Sequence, residues 1–348
     1  MDITQLLRFG VERTASDILI TANSPPVVRL NGELTVTKAT ALTPTDTRSL
    51  VYSVLTDSQK AKFEAEKELD FSLSFQDKYR FRGNAYMQRG CVAANFRLIP
   101  SEIPSLEDLK LPPIIEEFAL MQQGLLIVSG PTGHGKTTTQ AAMINIVNNR
   151  RRCHIVTVED PIEFVHVNNK SVVDQREVGD DTLSFASALK HVLRQDPDVI
   201  LVGEMRDLET VATALTAAET GHLVIATLHT NDAVQSIDRM IDVFPPHQQQ
   251  QVRSQLALCL LAVISQRLLP QADRTGRIVA VEIMRNIPAV GNLIREGKIH
   301  NVYTVMETQS KVGMQTMDSA IKALYLKGLI TYQEAKQRMR DPKMLDLA

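Results

Sequence analysis

The stretch GPTGHGKTTT, residues 130–139, decides what this chain is built around. It fits the spacing G-x-x-x-x-G-K-[ST], with Gly130, Gly135, Lys136 and Thr137 at the fixed positions. The apolar run GLLIVSG precedes it and the helical run TTTQAAMINIVNN follows. That context predicts a strand, a phosphate-binding loop and a helix. Glycines let backbone N–H groups close on phosphate oxygens, and the helix start adds a favourable field. The residues expected to hold the nucleotide are Gly130, Pro131, Thr132, Gly133, His134, Gly135, Lys136, Thr137 and Thr138. In such loops the lysine reaches the β- and γ-phosphates and the hydroxyl helps to hold Mg²⁺, so ATP with Mg²⁺ is the expected ligand pair. His134 stands at a variable position where backbone groups do the phosphate work, and it reads as tolerated.

Outward from the loop, the rhythm is strand–helix alternation. GLLIVSG, HIVTVED, DVILVGE and HLVIATLH are short apolar runs of the kind a parallel sheet buries on both faces. TLSFASALKHVLRQ and LETVATALTAAE read as helices between them, the second framed by Asp207 as N-cap and Gly221 as stop. A helical tail from about residue 286 closes the chain. Residues 1–100 read differently, as an α+β domain: a helix over MDITQLLRFGVER, short strands at DILI and VVRLNGEL, and two further helices. Three antiparallel strands then follow in ELDFSLSF, YRFRGNAYMQ and CVAANFRLI. The proline-punctuated segment 101–113 reads as a linker, and 114–348 as the P-loop α/β domain with its tail. The apolar run Leu256–Ile264 (LALCLLAVI) reads as a core helix, well short of the roughly 20 residues that cross a bilayer.

Composition narrows the function classes. The 348 residues carry 38 basic against 40 acidic side chains, a net charge of -2, which argues against a nucleic-acid motor with its basic field. Cys91, Cys153 and Cys259 are far apart and form no CxxC pair, so neither a metal cluster nor a disulfide framework is expected. No signal peptide is visible at the start, so a cytoplasmic protein is expected.

Three more segments bear on chemistry. DPDVILVGEMRD is a buried strand ending in Glu204, at the carboxyl end where parallel sheets bind ligands. A carboxylate there can act on Mg²⁺ or orient and deprotonate an attacking water. Gly203 precedes it, where many P-loop enzymes place a metal-binding aspartate. VEDPIEF puts Glu159, Asp160 and Glu163 near the same sheet edge. TGHLVIATLHTND sets His222 and His229 at opposite ends of one strand, more than about 20 Å apart, so they cannot share a metal. His229, at the carboxyl end, reads either as a sensor of a γ-phosphate or as a satisfied polar strand end, whereas His222 reads as capping structure or facing a neighbour. Arg150, Arg151 and Arg152 follow the P-loop helix, where their charges favour its C-terminus.

Together these segments resemble the motifs of the secretion-ATPase superfamily, in particular the PilT-type retraction ATPases of type IV pili. Gly130–Thr137 resembles the family's Walker A, Val158–Phe164 its Asp box, Asp196–Asp207 its atypical Walker B and Thr220–Asp232 its His box. The similarity extends to ASD near the start, QRG, DRMIDVFPP, SQRLLP, NLIREGK and GMQTMD. It implies a PAS-like N-terminal α+β domain and a C-terminal RecA-like P-loop α/β domain. It also implies a homo-hexameric ring that binds ATP and acts with an inner-membrane platform protein (PilC-like), and with PilU-like or PilB-like paralogues. The ring would sit in the cytoplasm, peripherally at the inner membrane, without direct contact to nucleic acid. The same resemblance makes Glu204 the catalytic glutamate, Glu163 a metal-side acid beside Thr137, and His229 the nucleotide sensor. Arg82 and Arg97 are its candidates for arginines that approach the phosphates on closure. The absence of a four-cysteine module after the Walker B region favours the retraction type. Two departures stand out. Asp17 is followed by Ile18, Leu19 and Ile20 where the family commonly runs Asp-Leu-His-Leu, and Gly291 stands where an arginine is usual.

Overall fold

The computed structural model describes residues 2–30, 33–76, 79–99, 102–274 and 276–345. It divides into two units, Met1–Glu102 with Glu163–Val165, and Ile103–Ile162 with His166–Ala348. The expected domain limit at residues 100 and 101 lies outside the described residues.

The first unit runs α1 (Ile3–Glu12), β1 (Asp17–Ile20), β2 (Val27–Leu30), β3 (Glu33–Val36), α2 (Pro44–Tyr52), α3 (Asp57–Glu66), β4 (Glu68–Phe75), β5 (Tyr79–Gln88) and β6 (Cys91–Ile99). Each helix begins at a capping box, Asp2 with Gln5, Thr43 with Asp46 and Thr56 with Gln59, which satisfies two otherwise orphaned N–H groups at each start. The sheet order is β3-β2-β1-β6-β5-β4, with antiparallel pairing throughout. VVRLNGEL therefore supplies two strands of a hairpin, β2 and the start of β3; its Asn-Gly pair lies outside the described residues. Phe63, Phe81 and Phe96 are fully buried in this unit's core. Gly83 is required by packing, because a Cβ there would fall 2.3 Å from the Phe71 ring.

The second unit runs α4 (Ile114–Ala119), β7 (Gly124–Ser129), α5 (Lys136–Arg150), β8 (His154–Glu159), β9 (Val172–Glu177), α6 (Phe185–Val192), β10 (Val199–Val202), α7 (Leu208–Glu219), β11 (Leu223–Leu228), α8 (Ala233–Asp242), α9 (Pro246–Cys259), β12 (Leu260–Pro270) and β13 (Arg277–Arg285), then α10 (Pro288–Arg295), α11 (Val302–Thr308), α12 (Met317–Leu326) and α13 (Tyr332–Arg338). Its sheet order is β13-β12-β7-β11-β10-β8-β9, parallel except for β13. The apolar runs are continuous because alternate residues serve opposite faces. Leu125 and Ile127 join the core on one side of the sheet, and Leu126 and Val128 the core on the other. Leu106 and Leu111, from the proline-punctuated stretch, are buried in that second core.

One expectation is overturned. Leu256–Ile264 is not one helix: α9 stops at Cys259, and Leu260 begins β12, the strand beside β7. An unbroken apolar run has no period with which to mark that switch. Arg150 and Arg151 do more than favour a helix end. Arg150 pairs with Glu116 at 3.1 Å and Arg151 donates to the Met121 carbonyl at 3.0 Å, so they tie α5 to α4 and the loop behind it. Among the described residues no helix is long and apolar enough to cross a membrane.

Candidate nucleotide site

The loop leaves β7 at its carboxyl end and enters α5 at Lys136, with Gly135 as N-cap in the left-handed region. Gly130 has φ 141°, and a Cβ there would lie 2.4 Å from the Gln266 carbonyl oxygen of β12. Only glycine permits that approach. The Gln266 amide donates to the His134 carbonyl at 2.7 Å, and the Leu268 N–H donates to His134 Nδ1 at 3.0 Å. Arg277 on β13 donates to the Gly133 carbonyl at 3.3 Å. The loop is thus braced from β12 and β13, and His134 is one of its tethers. Because Nδ1 accepts, the neutral ring carries its proton on Nε2. Burial, with the charges of Arg277, Lys136, Arg267 and Arg338, holds the His134 pKa below the ordinary value.

Lys136 is 7% exposed, and its ammonium donates to the Gly130 carbonyl at 2.7 Å and the Pro131 carbonyl at 3.0 Å. It also lies 3.4 Å from His229 Nδ1. An ammonium only donates, so Nδ1 accepts and the imidazole proton sits on Nε2. Nε2 is 3.2 Å from the Glu204 carboxylate, and Thr132 Oγ1 is 3.3 Å from Nδ1. Strand ends make this possible: β10 and β11 are parallel neighbours, so the residues following them emerge on one edge beside β7. Burial raises the Glu204 pKa, but hydrogen bonds from Arg206 and His229, with the Arg206 charge, outweigh it and hold the carboxyl below the usual range. Arg206, itself largely exposed, contacts the same Glu204 oxygen. The site therefore offers an ionised carboxylate, an oriented imidazole and a buried ammonium around one loop.

Gly203 has a packing reason. A Cβ there would lie 3.2 Å from both Glu159 Cα and the Val158 carbonyl, leaving no easy room for an aspartate. Glu159 is buried and committed, accepting from Thr157 Oγ1 at 2.7 Å and Gln175 at 3.1 Å. Glu177 accepts the Ile162 N–H at 3.0 Å and so holds the segment that follows β8. Among the described residues no cluster of three His, Cys, Asp or Glu side chains could cage a metal. The Thr137 hydroxyl, at the first turn of α5, is half-buried. His222 meets the expectation of a structural cap, with Nδ1 3.0 Å from the Ala217 carbonyl at the end of α7.

Arg82, Arg97 and Glu163 belong to the first unit. Strand register sets Arg29, Asp17, Arg97 and Arg82 in one row across β2, β1, β6 and β5. The exposed Arg97 donates to the buried Asp17 at 2.9 Å, with Arg29 at 3.5 Å from the other oxygen. Asp17, from the ASD segment, thus anchors the arginine that was expected to act on phosphate.

A cavity of about 290 Å³ lies beside the first turn of α5, lined by Thr138, Gly135, Leu111, Leu268, Arg277 and Ile278 among others. Gln266, Leu268, Arg206 and Arg277 were not singled out from the sequence; Gln266 and Leu268 lie within SQRLLP and Arg206 within DPDVILVGEMRD, whereas Arg277 carried no signal.

Known proteins resemble this chain in sequence and in fold. The model of the type II/IV secretion system protein family matches residues 105–314. The type IV pilus retraction ATPase PilT of Pseudomonas aeruginosa is 46% identical over 343 residues, covering 99% of each chain. The type IV pilus ATPase PilU of the same organism is 44% identical over 335 residues, covering 96% of this chain and 88% of its own. A crystal structure of the pilus retraction motor PilT with bound ADP superposes over the whole of both chains, with TM-score 0.93 and 48% identity. This chain belongs to the type II/IV secretion system protein family, among its PilT-type ATPases.

Proposed function

We propose that this protein is a Mg²⁺-dependent ATPase motor that powers retraction of type IV pili, removing pilin from the pilus base and so driving twitching motility. The observation that carries the chemistry is the convergence of Glu204, His229 and Lys136 on the loop 130–137. The ionised Glu204 takes the role of base, orienting a water for in-line attack on the γ-phosphate. His229, bridging Glu204 and the loop, reports whether that phosphate is present. Thr137 and the acid Glu163 are assigned to the metal side, where Mg²⁺ supplies charge neutralisation on the phosphates. Arg82 and Arg97 are assigned to the developing charge, since a guanidinium fork matches phosphoryl oxygens. The cavity beside Thr138 is the assigned seat of the nucleoside. The likeness to PilT over nearly the whole chain supports a homo-hexamer acting on a PilC-like platform protein at the cytoplasmic face of the inner membrane.

An accessory role beside a more active paralogue is the second reading, favoured by the 44% identity to PilU and by Gly291. The test is deletion, complemented by wild type or by Glu204→Ala, scoring surface piliation and twitching. The retraction reading expects hyperpiliated, non-motile cells that only the wild type restores; unchanged piliation and motility on deletion would refute it. Restoration by Glu204→Ala beside an intact paralogue supports the accessory role.

A further inference from the structure

Glu282, on β13, is a carboxylate 2% exposed that takes no part in the site described above. One oxygen accepts the Ala233 N–H at 2.8 Å, and the other accepts the Met317 N–H at 3.2 Å. These are the first residues of α8 and α12. Each helix already has its own cap, Asp232 accepting from Gln235 N–H and Thr316 from Ser319 N–H. Glu282 is therefore a second acceptor shared between two helix starts, whose N–H groups only partly offset the burial that pushes its carboxyl pKa up to about 7.

Its two partners lead to different parts of the unit. Ala233 stands four residues after His229, and the intervening turn is hydrogen-bonded to the helix start: Thr230 Oγ1 is 2.6 Å from Ser236 Oγ, which donates to the Asp232 carbonyl at 2.8 Å. Met317 lies in the segment GMQTMD, for which the nucleotide site has no use. That segment is strapped to β13 as well, because Gln315 and Ile283 exchange both backbone hydrogen bonds at 2.8 and 3.0 Å, and the Gln315 amide donates to the Val281 carbonyl at 2.7 Å. One residue further on, the buried Asp318 accepts the N–H groups of Arg340 and Asp341, both at 2.8 Å, beyond α13. A line of carboxylate-to-amide contacts thus runs from the turn after His229 to the end of the helical tail.

We propose that Glu282 is a positioning residue that couples the His229 segment to the C-terminal helices, so that a nucleotide-dependent displacement at one is passed to the other. The inference rests on the nucleotide site proposed above. A buried carboxylate with two amide donors resists loss of either, because the group left unpaired stays desolvated. Movement of the start of α8 therefore carries Glu282 and the start of α12 with it, rather than breaking the contact.

Hydrogen exchange on the full chain, with and without ADP and Mg²⁺, tests this. In the wild type, ADP is expected to slow exchange over 130–137 and also over 313–320. In Glu282→Gln, whose amide nitrogen meets a backbone donor, ADP should protect only 130–137, with kcat down about tenfold and KM within about twofold. A purely structural loss would lower stability without separating the two responses. Met317→Pro is the second variant: proline is tolerated at a first helical position and follows the extended Thr316, but it removes the buried Met317 side chain along with the N–H. Met317→Ala, which keeps the N–H and should keep joint protection, is its control. In Met317→Pro, ADP should also protect the loop alone. Joint protection of both segments in folded Glu282→Gln or Met317→Pro, or protection of the loop alone in the wild type, overturns the coupling. No protection of 130–137 in the wild type refutes the nucleotide site and the coupling with it.

Discussion

His229 Nε2 lies 3.2 Å from the Glu204 carboxylate while its Nδ1 faces the Lys136 ammonium at 3.4 Å, so one imidazole spans the proposed base and the lysine of the loop. Removing the carboxylate should abolish the base without dismantling the loop. Glu204→Ala is expected to lower kcat by about two to three orders of magnitude with ADP affinity within a few fold. Steady-state turnover and calorimetric ADP binding check this; turnover near wild type rejects Glu204 as the base. The pH profile adds a second reading. Glu204 is held below the usual carboxylate range, so its protonation should not limit kcat/KM until pH falls under about 4.5. In Arg206→Ala, burial is opposed by His229 with less help, and the acid limb should move to higher pH.

His134 should prove to be a strut rather than a bystander. Its Nδ1 accepts from Leu268 N–H, a role open only to the neutral ring. The folded pKa is depressed, so the contribution is fully present above the ordinary value of 6.5 and is lost as pH falls through the lower folded value. His134→Ala should cost about 0.5–1.5 kcal/mol and flatten the loss of stability below pH 6.5. Chemical denaturation at pH 5 and 8 measures both. Equal pH dependence in variant and wild type would show that the tether contributes nothing.

Much of this site was legible because parallel strands deliver the residues after them to one edge. Glu204 and His229 each end an apolar run, and the sheet brings those ends to Lys136. The braces were not legible. Gln266 and Arg277 meet the loop across more than 130 residues, and no local period encodes a contact of that range. The start of β12 was hidden for a different reason: LALCLLAVI is apolar on every face, as a buried helix end and a central strand both are. Strand β9 was missed because only Val172 and Val173 of VVDQRE look like a strand, the rest being polar on a sheet edge.

The absent aspartate before Glu204 yields a steric prediction. With a Cβ at residue 203 pressed to 3.2 Å against Glu159 Cα and the Val158 carbonyl, β8 and β10 must part for any side chain. Gly203→Asp should therefore destabilise the fold by about 1–3 kcal/mol, as overpacked sites do, and should not improve Mg²⁺ dependence. Thermal unfolding and a Mg²⁺ titration of turnover decide; a stable variant with tighter Mg²⁺ use would show that the strands yield freely.

In the first unit, Asp17 is the shared partner of Arg97 and Arg29. Burial raises its pKa, yet the Arg97 and Ser16 contacts bring it below 3.8, so its stabilisation holds above that pH and is lost as pH falls through the folded value. Asp17→Asn should weaken hydrogen-exchange protection of β1 and β6 at neutral pH and remove the further loss on acidification toward pH 3. Unchanged protection at both pH values would mean that strand pairing alone orders Arg97.

Gly291 offers a test on the helical tail. It lies buried inside α10, with its N–H donating to the Ile287 carbonyl at 3.0 Å and no left-handed backbone to justify glycine. A Cβ there would meet the Ala257 carbonyl and Asn286 Oδ1 at 3.4 Å each, ordinary contact distances. Glycine's extra freedom in the unfolded chain is then uncompensated, so Gly291→Ala should stabilise the protein by about 0.4–1 kcal/mol. The substitution touches neither the loop nor Glu204, so ATP turnover should stay within about twofold at temperatures well below unfolding. A rise in Tm with unchanged turnover fits a glycine kept for nothing in the nucleotide site. A fall in Tm would show that α9 and α10 need the closer approach that only glycine allows, and that the arginine usual at this position cannot be restored without repacking them.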